Sequence, residues 1–172
     1  SEYDYTPLEE QIKRSSNGGG RHTGKIWRVM DFAVSGIVLL AAEPGTGKTT
    51  LMNLLTEAIQ EGTDFLGAFK VTQGPVLLIQ GDEPEDFAEP KYVRQDLKVQ
   101  WDVLYPEEAL NIDDLTKLVT SKKYVAIGVD SLTTVLCTPE QGTLDQGIVH
   151  LLYELNRVAV NAGVLVYMTA HL

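Results

Sequence analysis

The stretch "LLAAEPGTGKTTLMNLL", residues 39–55, joins an apolar run, a glycine-bearing turn, a lysine, two threonines and a helix-like spacing of apolar side chains. The run leading into it, "GIVLLAA" (Gly36–Ala42), is short and rich in β-formers, as a buried parallel strand would be. Beyond the turn, Leu51, Leu54, Leu55 and Ile59 recur at helical spacing, and Gly62 ends the pattern. Strand, turn and helix in that order form the setting of the phosphate-binding pattern G-x-x-x-x-G-K-[ST]. Residues 42–49 match it, with Ala42, small enough to keep the turn, in place of the first glycine. Gly45 and Gly47 let the backbone curl until several N–H groups point inward at phosphate oxygens. The helix beginning near Lys48 turns its positive end toward the same anion. Lys48 can reach the outer phosphates, the Thr49 hydroxyl can ligate Mg²⁺, and Thr50 lies one residue on, within reach of the α-phosphate. The bland alternative is a tight strand-to-helix turn with a chance lysine, and the flanking strand and helix argue against it. Glu43, Pro44, Gly45, Thr46, Gly47, Lys48, Thr49 and Thr50 are therefore expected to hold a purine triphosphate.

Working outward, "GPVLLIQGDEPED" (residues 74–86) gives a second buried strand, Val76–Gln80, opened by a Gly-Pro turn and closed by acids. Helices are expected around 91–98 and in "DDLTKLVTS" (113–121). "YVAIGVDS" supplies a third strand over 124–129. A helix over 143–161 places Ile148, Leu151, Leu152, Leu155 and Ala159 on one face, and "GVLVYMTAHL" (163–172) is a fourth strand. Such alternation means an α/β fold, a mainly parallel sheet with helices on both faces. The fourth strand, at the end of the sequence, is expected to leave an exposed sheet edge. Before this core, residues 1–24 carry one short helical candidate, 7–14, and then "SSNGGGRHTG", which reads as a flexible connection.

The strand tips carry the remaining chemistry. Asp130 ends an apolar strand, where its carboxylate can hold Mg²⁺ through water opposite Thr49; capping a turn with Ser131 is the alternative. Asp82 and Glu83 follow the second strand, placed to orient or deprotonate an attacking water, with a solvated acidic loop as the alternative. Glu83 leads because its side chain reaches further. His171 closes the fourth strand, where a polar group can bond the γ-phosphate or simply sit as a satisfied edge residue. His22 and His150 have no neighbours at metal-ligand spacing, and no cysteine–histidine cluster suggests zinc.

The chain has 172 residues, 44% of them hydrophobic, enough for one globular domain with a sizeable core. Fourteen basic against 24 acidic residues give a formal charge of −10, which excludes nucleic-acid binding through a generally basic surface and confines any such contact to a few loops or to an assembly. No apolar run is long enough to span a membrane, and residues 1–10 are unlike a secretory signal. The single cysteine, Cys137, reads as a small, partly buried apolar side chain and fits a reducing cytoplasm.

Taken together, "AEPGTGKTTL" (42–51), "FLGAFKVTQGPVLLIQGDEPED" (65–86), "YVAIGVDSLTTV" (124–135) and "NAGVLVYMTAHL" (161–172) resemble the RecA-like P-loop NTPase core. More narrowly, they resemble hexameric replicative helicases of the plasmid RepA, DnaB and phage primase-helicase kind, over nearly all of residues 26–172. The resemblance implies ATP with Mg²⁺, Lys48 and Thr49 as phosphate and metal ligands, and Asp130 as the Walker B aspartate. It implies a catalytic glutamate just after the second strand, a place that falls on Asp82 or Glu83 because "GDEP" shifts the acids relative to the usual order. His171 matches a phosphate-sensing position. The resemblance also implies a homo-oligomeric ring, possibly hexameric, acting on single-stranded DNA, with an arginine finger from a neighbour. The finger and DNA loops of such helicases lie largely beyond the fourth strand, so residues 25–172 are expected to be a core truncated at its C-terminal side. Two other functions remain open: a regulatory or recombination ATPase of the KaiC or RadA kind, and a nucleotide-switched binding module with little hydrolysis.

Overall fold

The computed structural model describes residues 7–10, 13, 27–30, 32–94, 100–136 and 146–171. The "SSNGGG" connection, His22, Cys137 and the expected helix start at 143–145 lie outside the described residues. Within them a short antiparallel hairpin, β1 (Trp27–Val29) and β2 (Ala33–Val34), precedes β3 (Gly36–Ala42) and α1 (Lys48–Glu61). Then come β4 (Val76–Gln80), α2 (Glu85–Arg94), β5 (Asp102–Leu104), α3 (Ile112–Thr120), β6 (Ala126–Asp130), α4 (Leu132–Leu136), α5 (Gln146–Ala162) and β7 (Leu165–His171). Strands β3 to β7 form one parallel sheet in the order β3-β7-β6-β4-β5. This is the expected α/β architecture.

Helices cover both faces because the strand side chains alternate. Leu77, Ile79, Ile127, Val129, Val166 and Met168 face one way and bury against Leu115 and Val119 of α3 and Leu155 and Ala159 of α5. Val76, Leu78, Ala126, Leu165 and Tyr167 face the other way, against Met52, Leu55 and Ile59 of α1. Each fully buried Val, Leu, Ile or Met among them contributes about 1.5–3 kcal/mol. Asn111 caps the N-terminus of α3, accepting from Asp114 N–H in a reciprocal capping box.

The structure corrects several expectations. Strand β3 is an edge of the sheet, not a fully buried strand, and Leu39 is 44% exposed. Conversely β7 lies between β3 and β6, so the free edges belong to β3 and β5. An apolar run reports covered faces and carries no information on how many neighbours a strand has. Helix α1 buries Met52, Leu55, Ala58 and Ile59, while Leu54 is turned outward. In α5, Ile148, Leu155 and Ala159 are buried and Leu151 is exposed. Helix α2 begins at Glu85, well before the expected 91, and holds Pro90 within it; residues 95–98 lie outside the described residues. Among the described residues no helix is long and apolar enough to cross a membrane.

A parallel sheet puts all strand carboxyl ends on one edge. The register pairs Ala42 with His171 and Gln80 with Asp130. The turn after β3, His171, Asp130 and the acids after β4 are thereby lined up side by side.

Candidate functional site

The turn between β3 and α1 has the conformation its glycines were expected to permit. Gly45 and Gly47 hold φ of 78° and 90°, left-handed values costly for any residue with a side chain. A Cβ built on either would meet nothing within 4 Å, so it is backbone conformation and not crowding that calls for glycine at both. Gly47 is also the N-cap of α1, so the first helical N–H groups point out of the helix toward the turn. Lys48 Nζ donates to the carbonyls of Ala42 and Glu43, each at 2.7 Å, and Thr46 Oγ1 donates to Glu43 O at 2.8 Å. These bonds hold the lysine at the mouth of the turn. Glu43, Pro44 and Thr50 are exposed beside it.

Asp130, 2% exposed, accepts three side-chain hydrogen bonds. They come from Thr49 Oγ1 at 3.0 Å and Gln80 Nε2 at 3.1 Å on Oδ2, and from Thr169 Oγ1 at 2.6 Å on Oδ1. Among the described residues no lysine or arginine pairs with it. A buried carboxylate satisfied by neutral donors, beside a threonine hydroxyl at the start of α1, fits the oxygen chemistry of a divalent cation. Among the described residues no three His, Cys, Asp or Glu side chains are grouped as a metal cage, so such a cation would take most of its ligands from water and phosphate, as Mg²⁺ does.

The turn after β4 is tied to Asp130 through both backbone and side chain. Gly81 N and Asp82 N donate to the backbone carbonyl of Asp130 at 2.6 and 3.1 Å. Gln80 Oε1 accepts from Asp82 N at 3.0 Å and Glu83 N at 3.3 Å, while its Nε2 holds Asp130. Gly81 is required here by close approach, since a Cβ would come within 2.8 Å of Val135 and 2.9 Å of Thr134. Asp82 has both carboxylate oxygens engaged. Oδ1 accepts from Ser131 Oγ at 2.8 Å and Thr134 Oγ1 at 2.7 Å, and Oδ2 lies 3.1 Å from His171 Nε2. Burial alone would raise the Asp82 carboxyl, but the hydrogen bonds from Thr134, Ser131 and His171, with the charge of His171, outweigh it and hold the group below its ordinary value.

The structure thus brings Lys48, Thr49, Asp130, Asp82, Glu83 and His171 to one sheet edge. Sequence reasoning missed Gln80, Thr169 and Thr134, which connect them, and named Ser131 only as a turn-capping partner of Asp130, whereas its hydroxyl donates to Asp82. A signal existed for the first two, since each is a polar residue near the end of a mainly apolar strand, "VLLIQ" and "LVYMTAH".

A family model described as an AAA domain matches residues 9–172. The chain belongs to the AAA-domain family. No curated protein matches it. The AAA domain found here is a nucleotide-binding, ATPase-type domain, and its parallel sheet with a phosphate-binding turn is that of a RecA-like P-loop NTPase.

Proposed function

We propose that this AAA domain hydrolyses ATP with Mg²⁺ as the motor core of a replicative-type helicase, acting on single-stranded DNA as a homo-oligomer. The observation that carries the hydrolytic part is the continuous link from Thr49 through Asp130 and Gln80 to the Glu83 turn. It ties the oxygens of Thr49 and Asp130 to the backbone of the turn that carries Glu83.

In this reading the backbone N–H groups of residues 45–49 and the Lys48 ammonium receive the phosphates. Thr49 and Asp130 would hold the metal. Bound there, Mg²⁺ would supply neutralisation of the phosphate charge. Asp82, engaged on both oxygens, is a positioning residue. Glu83, one residue further along a turn pinned by Gln80, is the base that takes the proton of the attacking water onto its carboxylate. His171 sits in register beside Ala42 and touches Asp82, so it lies between the phosphate turn and the acid tip, where loss of the γ-phosphate would be felt.

The helicase assignment rests on the ordered strand tips, with the acid pair after β4 and Ala-His at the end of β7. The formal charge of −10 favours a second reading, a regulatory or recombination ATPase of this fold, since an acidic surface repels a nucleic-acid backbone. Steady-state ATP turnover with and without single-stranded DNA tests the choice. Stimulation of tenfold or so by DNA supports the helicase core. Turnover indifferent to DNA would leave the ATPase and remove the helicase.

A further inference from the structure

A cavity of about 630 Å³ lies at the sheet edge opposite Lys48, between the C-terminal ends of α3 and α5. Val119, Val125, Val158 and Val164 give it apolar walls, and Arg28 of β1 and Lys122 bring two cations to it. Arg28 is 6% exposed. Its Nη1 donates to Thr72 O at 3.1 Å, while its Nε is shut off from water with no acceptor. Burial pushes the guanidinium below its ordinary value, yet a base this strong stays charged. Among the described residues no carboxylate pairs with it. Asp102, an acid at this end of the sheet, is held by Tyr124 Oη at 2.6 Å and Lys123 Nζ at 3.2 Å.

A buried cation with one hydrogen bond to a carbonyl is an unfavourable arrangement in a fold unless an anion completes it. The ends of α3 and α5 lend partial negative charge, but the hydrogen bond Arg28 makes among the described residues is to Thr72. The volume lies in the range of small-molecule sites, which combine apolar walls with a few polar anchors. With Nη1 on Thr72 and Nε shut off, Arg28 keeps Nη2 for a carboxylate oxygen and Lys122 adds its ammonium, while valine walls favour an apolar body over a fully hydrated anion. We propose that this cavity binds a small organic carboxylate, its oxygens held by Arg28 and Lys122 and its apolar body against the four valines.

Calorimetric titration of the whole protein with benzoate and hexanoate, at constant ionic strength and against inorganic phosphate, tests this. Saturable carboxylate binding is expected, weakened about tenfold or more in Arg28→Met. A weakening of about threefold is expected in Lys122→Asn, a variant that suits the left-handed φ of 60° at that position. Affinity for a fluorescent ATP analogue should be unchanged in both variants, because the cavity is at the far edge from Lys48. Should Arg28→Met fail to fold, Lys122→Asn and benzoate-induced shifts of the Val119, Val158 and Val164 methyl resonances carry the test. No saturable binding of either carboxylate, equal binding by the variants, methyl resonances that do not respond, or binding of phosphate alone would each overturn the proposal.

Discussion

Replacing Asp82 with asparagine tests the reading of that side chain as the tie between strand tips. The substitution keeps shape and leaves Oδ1 able to accept from Ser131 and Thr134, but the acceptor is no longer charged. Hydrogen bonds to a charged group are worth about 1.5–3 kcal/mol against about 0.5–1.5 for neutral pairs, so the two hydroxyl bonds lose about 2 kcal/mol together. The contact with His171 is partly exposed and adds about 0.5 kcal/mol. Removing one negative charge near Asp130 and Glu83 returns about 0.5–1 kcal/mol. The net loss is about 1–2 kcal/mol at pH 7, a fall in Tm of about 2–8 °C for a domain of this size. The sign with pH follows from the lowered Asp82 value. A carboxyl held below its unfolded value stabilises the fold above that value, about 3.9, and the contribution fades as pH falls through the folded value. Urea unfolding of both proteins at pH 7 and at pH 3 and below should show the difference shrinking with acid. Equal stability at pH 7, or a gap that stays constant into acid, would refute the tie.

Three further substitutions probe the rest of the edge. Lys48→Ala should weaken binding of a fluorescent ATP analogue at least about tenfold by removing the cation held at the mouth of the turn, and unaltered affinity would remove Lys48 from the site. Asp130→Asn should raise the Mg²⁺ concentration needed for half-maximal turnover, and an unchanged requirement would exclude Asp130 as a metal-site oxygen. Leu55→Ala, at a fully buried position between α1 and the sheet, should cost about 2–5 kcal/mol in urea unfolding, and a loss well under 1 kcal/mol would mean that α1 does not pack as described.

The phosphate turn was legible because its determinants are local. Two glycines, a lysine and a threonine within five residues specify a curled backbone at a helix start, and the structure gives Gly45 and Gly47 that conformation. The alternation of strands and helices was legible for the same reason. Strand order was not, since whether β3 or β7 lies at the edge depends on crossovers of many residues, and both read as apolar runs. The hairpin β1–β2 and strand β5 span only two or three residues each, too few for any period to register. At the site, sequence placed Asp82 and Glu83 together but could not divide their roles. That division rests on Ser131, Thr134 and His171 converging on Asp82 from two other strand ends, contacts 49, 52 and 89 residues away in sequence.

In the proposed ATPase, Glu83 is the base and Thr49 and Asp130 supply the oxygens for the metal. The most direct measurement is steady-state turnover of the wild type, Glu83→Gln and Asp82→Asn at saturating Mg²⁺ and ATP, with single-stranded DNA present and nucleotide affinity measured alongside. Glu83→Gln should lose about a hundredfold or more in turnover at unchanged affinity, while Asp82→Asn loses about tenfold. Turnover kept by Glu83→Gln and abolished in Asp82→Asn would contradict the account and move the base to Asp82.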